Sequence, residues 1–255
     1  RHPLIDEAMI AATGAPDRPA MEAAAWPKYA ARLQANRRFF TRLLPPSEAK
    51  LHIIEKWTRF ANWLTGSNHA APLALFPDLG LARPAALERQ TVVIQPFAAI
   101  KQKQITPGDV ADLIDAMPAN TDVVITGTTP DLEQAPEIGV LSRRNNVRFE
   151  GGTFESLVPL LRAARLVVSV DTALMHLAAG LGTPTLGLAS AAWVGEIVPY
   201  PAALMPPNFS VLYHNMPCAG CRAACHLPAE TGMYPCVARL DRQLVLAKVR
   251  AVVQQ

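Results

Sequence analysis

From Thr91 onward the chain repeats one pattern: a short β-branched run with little polarity, a turn, then a stretch with apolar residues at helical spacing. Thr91–Gln95, Asp122–Thr126, Val147–Phe149 and Leu166–Val170 are such runs. Unbroken apolar runs of this length suit strands buried on both faces of a parallel sheet. Helices are expected over Pro107–Met117, with Pro107 in the first turn, and over Asp131–Leu141, which Pro136 weakens. Another is expected after Thr153, with Pro159 inside it. Thr185–Leu188 begins a further strand and Ser210–Tyr213 a last one. Val237–Val253 reads as a terminal helix with Leu240, Leu244, Val245 and Val249 on one side. Strand and helix alternating over short links predict a doubly wound, Rossmann-like α/β domain.

The first 90 residues follow a different pattern. They are Ala-rich and mainly helical. Pro19–Phe40 has helical spacing at Met21, Ala25, Tyr29 and Leu33, and Pro45-Pro46 breaks the chain. Ser47 is expected to open a second helix whose stripe is Leu51, Ile54, Trp57, Phe60, Ala61 and Leu64, ended by Gly66. Residues 67–90 lack a clear period and read as a linker. The organisation expected is a helical region over 1–66, a linker over 67–90 and an α/β domain over 91–255.

With 255 residues, half of them hydrophobic, the chain can bury one large core or two smaller ones. A net charge of +3 without a long basic run argues against a nucleic-acid partner. No apolar stretch approaches the roughly 18–20 residues that span a bilayer.

Candidate chemistry centres on Leu166–Leu188, LVVSVDTALMHLAAGLGTPTLGL. Asp171 ends the buried strand. Thr172–Leu181 is helical in spacing, Gly182 suits a left-handed stop, and Pro184 forbids continuation. A helix starting at the carboxyl end of a buried parallel strand points free N–H groups into a crevice, an anion site most often used for phosphate. Asp171 as a plain helix cap is the competing reading.

The run S-V-D-T-A-L-M-H-L-A-A-G-L-G-T-P-T resembles the signature of the family-nine glycosyltransferases, the ADP-heptose heptosyltransferases of lipopolysaccharide synthesis, which include the autotransporter heptosyltransferases. The resemblance implies the C-terminal, donor-binding lobe of a two-lobed GT-B fold. It implies that the amides of Thr172, Ala173 and Leu174 hold a nucleotide-sugar pyrophosphate, with Asp171 and His176 fixing the turn. Ala173 stands where the family usually has Gly. A helical turn there keeps the N–H in place, whereas a left-handed one does not accept Ala.

The loop after Gln95 carries Lys101 and Lys103. Lys103 matches the spacing of the family's phosphate-contacting lysine, although Ile105 stands near the usual Trp. In the loop after Thr126, Gly127 permits close approach, and Asp131 matches the family's ribose-binding acid, with helix capping as its rival. Gly151 and Gly152 border a nucleobase or simply form a turn. His52 and Glu55 resemble the His-x-x-Glu helix that joins the family's lobes. The other reading puts both on the wet face of an amphipathic helix.

All four cysteines, Cys218, Cys221, Cys225 and Cys236, lie in one C-x2-C-x3-C-x10-C stretch. Such clustering suits a structural Zn²⁺ or iron site. Reduced or partly disulfide-linked thiols are the alternative. No metal is expected at the reaction centre.

The leading reading is an inverting glycosyltransferase that uses a nucleotide-diphospho-sugar, ADP-heptose by resemblance, and a carbohydrate or protein acceptor. The expected location is cytoplasmic, with peripheral contact at the inner membrane face allowed. The family's catalytic Asp follows the first strand of the N-terminal lobe. Residues 1–90 hold no matching unit, so no catalytic base is named. A non-catalytic nucleotide-sugar-binding or assembly module is the second reading. A sugar-nucleotide epimerase, which needs paired acids and a His, is the third and weakest.

Overall fold

The computed structural model describes residues 6–22, 29–77 and 80–254. The chain forms two compact units, residues 1–72 and 73–255.

The first unit is mainly helical: α1 (Asp6–Ala12), β1 (Pro19–Met21), α2 (Ala30–Asn36), β2 (Arg42–Leu44) and α3 (Ile53–Thr65). β1 and β2 pair in parallel, with Pro19 opposite Arg42. The helix expected from Pro19 is therefore a strand at its start and helical only from Ala30; its middle, 23–28, lies outside the described residues. Side chains tie the strand entrances together. Arg42 Nη2 donates to Asp17 Oδ2 at 2.7 Å, and Arg18 N donates to Thr41 Oγ1 at 2.7 Å.

Helix α3 begins later than expected, because His52 rather than Ser47 caps it. His52 Nδ1 accepts from Ile54 N at 3.3 Å, and Glu55 Oε2 accepts from His52 N at 2.8 Å. His52 and Glu55 thus form a reciprocal cap that satisfies orphan amides; neither is a bystander on a wet face. Gly66, at φ 68°, ends the helix.

The second unit contains β3 (Gln90–Gln95), α4 (Pro107–Asp115), β4 (Thr121–Gly127), α5 (Thr129–Gln134), α6 (Pro136–Leu141) and β5 (Val147–Gly151). Then come α7 (Phe154–Ala163), β6 (Leu166–Val170), α8 (Ala173–Gly180), β7 (Thr185–Leu188), β8 (Phe209–Leu212), α9 (Pro235–Ala238) and α10 (Arg242–Val253). The six strands are all parallel in the order β5-β4-β3-β6-β7-β8, a doubly wound Rossmann-like sheet.

Strand alternation sorts the core into two layers. Val92, Ile94, Val123, Ile125, Val168 and Val170 pack with Val110, Leu113, Ile138, Val245 and Val249 from α4, α6 and α10. Val93, Val124 and Val167 pack on the other face with Leu157, Leu160, Leu161, Leu174 and Ala178 from α7 and α8. Burying each such side chain is worth about 1.5–3 kcal/mol, so both faces must be covered.

Two expected helices are split. Pro136 has no N–H and drives Ala135 to φ −136°, ψ 65°, which separates α5 from α6. At the C-terminus Asp241 accepts from Leu244 N at 3.0 Å and starts α10 afresh, apart from α9. Segments of 73–90 lie on the sheet domain. Phe76 N donates to Gly180 O at 2.7 Å and Ala85 N to Pro159 O at 2.9 Å. A Cβ on Gly180 would stand 2.5 Å from the Phe76 ring, so only glycine admits this contact.

Candidate functional site

In this strand order the connections diverge between β3 and β6, which are hydrogen-bonded neighbours. The crevice at such a switch point is where doubly wound sheets bind ligands. The loops after Gln95 and Val170 both open there.

Lys103 ends a single 3-10 turn, Lys101–Lys103, in the first of these loops. Its Nζ lies 2.9 Å from Asp171 Oδ2, and Ser190 Oγ donates to the same oxygen at 3.2 Å. Lys103 is 8% and Asp171 5% exposed. A carboxylate this buried needs a charge and a hydrogen bond to persist, and these supply both. Asp171 is therefore not the cap of α8. Thr172 holds the N-cap position, without a side-chain cap bond.

The first amides of α8 remain available. Those of Thr172, Ala173 and Leu174 donate to no acceptor among the described residues. Thr172 is half-buried, Ala173 exposed and Leu174 buried, so the helix start opens at its first two residues. Ala173 lies inside the helix, which means its Cβ brings no left-handed strain where the family's Gly would stand. Gly182, at φ 81°, supplies the left-handed exit after Leu181.

His176 sits one turn into α8, with Nδ1 2.5 Å from Tyr200 Oη and the rings edge-to-face at 5.6 Å. Tyr200 also meets Phe209 edge-on at 5.2 Å. Burial pushes the Tyr200 phenol up to about 12, so a neutral hydroxyl faces the imidazole at physiological pH.

In the second and third loops the candidate residues also have structural roles. Asp131 Oδ2 accepts from Thr128 N at 2.8 Å and Thr128 Oγ1 at 2.7 Å, a capping box for α5. Its Oδ1 has no partner among the described residues. A Cβ on Gly127 would stand 2.6 Å from the Phe97 ring, so this glycine is required by an internal aromatic contact. A Cβ on Gly152 would collide with Ser156 Oγ. Gly151 and Gly152 are exposed at the end of β5. Lys101 is exposed as well.

Cys218, Cys221, Cys225 and Cys236 are free thiols lining one small cavity with Met216, Leu227 and Tyr234. Burial is the main cause pushing Cys221 and Cys236 up, and neighbouring cysteines add to it. Yet among the described residues no group of three or more His, Cys, Asp or Glu side chains is disposed to hold a metal ion. The expected tetrahedral ligand set is thus gathered around one cavity but not closed into a coordination shell.

Ser190 and Tyr200 were not anticipated. Ser190 follows the apolar run of β7 almost directly, so the rule that ligands gather beyond strand ends points to it. Tyr200 has no sequence signal, because it reaches His176 through a long excursion between β7 and β8.

Among the described residues no helix is long and apolar enough to cross a membrane. The family model described as glycosyltransferase family 9 (heptosyltransferase) matches residues 33–220. No curated protein matches the chain. Among solved structures, E. coli ADP-heptose LPS heptosyltransferase II is similar at a TM-score of 0.66 and 17% identity, over 95% of this chain and 71% of that one. A family 9 glycosyl transferase from Veillonella parvula gives 0.62 and 14%, over 97% and 70%. E. coli heptosyltransferase WaaC with ADP gives 0.51 and 16%, over 81% and 70%. At these identities the structural likeness establishes the fold, that of GT-B glycosyltransferases. The family match covers well over half of the sequence, and the chain belongs to glycosyltransferase family 9.

Proposed function

We propose that this chain binds a nucleotide-diphospho-sugar, ADP-heptose, at the β3–β6 switch point and transfers the sugar to a carbohydrate or protein acceptor. The observation that carries this reading is the open start of α8. Three unused amides, at Thr172, Ala173 and Leu174, follow directly in the chain on Asp171, the carboxylate that holds the Lys103 ammonium. Amides at a helix N-terminus and a lysine together suit a diphosphate.

In transfer, the bond between the anomeric carbon and the diphosphate oxygen breaks as the acceptor hydroxyl attacks from the opposite face. Negative charge grows on the leaving diphosphate. Lys103 and the α8 amides are fixed in advance where that charge appears, so they stabilise the transition state with little reorganisation. His176, held by Tyr200, steadies the first turn of the helix. Asp131, through Oδ1, is our choice for the ribose hydroxyls. The Gly151–Gly152 edge is our choice for the base, with Gly127, the strand neighbour of Gly151, beside it.

For the four cysteines we propose a structural Zn²⁺ or iron ion, supported by their sharing one cavity. No step of the reaction runs through this ion.

Calorimetric titration of the chain with ADP, UDP and GDP tests the donor assignment. Preferential ADP binding is expected, with the affinity weakened but still measurable on replacing Lys103; equal or absent binding of ADP overturns it. The second reading, a non-catalytic binding module, draws on the first unit. Among its described residues that unit has only two three-residue strands. Transfer assayed with ADP-heptose separates the two readings, since a module binds donor without turnover.

A further inference from the structure

The loop that carries the cysteines is bonded to segments next to the residues around the buried pair. Gly220 N donates to Ala191 O at 2.8 Å, and Arg222 N to Ala192 O at 2.8 Å. These acceptors follow Ser190, the residue that holds Asp171. From the other end of the loop, Tyr234 N donates to Gln102 O at 2.9 Å, next to Lys103. One loop is therefore bonded to the immediate chain neighbours of both Ser190 and Lys103.

The loop is itself under strain. Arg222 and Ala223 have φ 55° and 64°, two successive left-handed conformations that side chains with a Cβ disfavour. Such a turn persists only where its surroundings hold it. Arg222 Nε and Nη2 both reach Glu196 Oε1 at 2.7 Å. Glu196 is 8% exposed, and its own N–H donates to Trp193 O at 3.0 Å. The ion pair thus fastens the strained turn to the Ala191–Trp193 turn.

We propose that Arg222 and Glu196 are positioning residues for the phosphate site. Their ion pair holds the cysteine loop in place, and through Ser190 and the Lys101–Lys103 turn the loop sets where the Lys103 ammonium stands relative to the α8 amides. The proposal rests on the reading that a diphosphate binds there. It extends that reading to residues that act only through Ser190 and Lys103.

The test uses the full chain with Arg222→Gln and Glu196→Gln, each alone and in a Lys103→Met background. ADP is titrated by calorimetry, and amide hydrogen exchange is followed without ligand. Each single variant is expected to weaken ADP binding by about tenfold, with no further loss once Lys103 is gone, because coupled residues are not additive. Exchange at 101–104 and 189–193 is expected to quicken while Val92–Ile94 stays protected. Wild-type affinity in the single variants, or an equal loss in the Lys103→Met background, overturns the proposal. If Arg222→Gln also loses protection at Val92–Ile94, Glu196→Gln, nearly isosteric, decides. If the wild-type chain binds no ADP, the diphosphate reading falls by itself. The exchange arm still decides the brace, and unchanged exchange at 101–104 overturns it.

Discussion

Lys103 Nζ and Asp171 Oδ2, 2.9 Å apart, tie together the two loops that leave adjacent strands in opposite directions. The pair has two consequences at once. It neutralises a carboxylate buried at the end of β6, and it ties the Lys103 ammonium to the residue that precedes the unused amides of α8.

Breaking the pair from one side should be costly. Lys103→Met leaves Asp171 buried with only Ser190, which is expected to lower stability by roughly 3–5 kcal/mol. Lys103→Met/Asp171→Leu removes both charges and should recover much of that loss. Urea unfolding of the two variants checks this, and a double variant no more stable than the single one would contradict it.

Ala173 offers a sharper probe of the helix start. It is the first residue of α8, and the preceding Thr172 is extended, at φ −139° and ψ 172°. Both features suit proline at this position. Ala173→Pro should leave the melting temperature nearly unchanged yet delete one of the N–H groups proposed to hold the diphosphate. A hydrogen bond to a charged group is worth about 1.5–3 kcal/mol, so ADP affinity should fall by at least about tenfold. An unaltered affinity would remove this amide from the site.

Tyr200 should make the fold sensitive to alkali. Its phenol is pushed up to about 12 by burial, whereas an unfolded tyrosine ionises at about 10. The folded-state value is the raised one. The unfolded chain therefore gives up its proton first, and stability falls as pH rises from about 10 through about 12, by roughly 2–3 kcal/mol in total. Below 10 the effect is absent. Denaturation of wild-type and Tyr200→Phe chains across this range should show the alkaline slope shrinking in the variant.

The cysteines allow a direct chemical check. With burial raising Cys221 and Cys236, little thiolate is present at neutral pH. Alkylation of Cys221 and Cys236 in the metal-free chain should be slow at pH 7 and quicken as the pH rises. Metal analysis of protein prepared under reducing conditions should find close to one Zn or Fe per chain. A chain without either metal would end the proposal for that cavity.

Much of the second unit could be read from the residues in order. The β-branched runs at Val92–Ile94, Val123–Ile125 and Leu166–Val170 became central strands, because nothing else buries both faces of such runs. Capping chemistry at Thr153 and the stop at Gly182 depend on neighbours a few residues away, and they appeared where expected. The misjudged boundaries also have local causes. Pro136 split one helix, Asp241 restarted another, and His52 displaced Ser47 as a cap.

The order of apolar and polar residues was sufficient for the alternating strands and helices, the crevice they imply, and the family signature around Asp171. Backbone preference and burial act over short spans, so a linear text records them. Folding in three dimensions assigned the partners: Lys103 and Ser190 to Asp171, Tyr200 to His176, Phe97 to Gly127. Each of those pairs joins residues from different turns of the sheet. A buried charge or a close approach is satisfied by whatever the packed chain brings near it, and nearness in space is not written in sequence order.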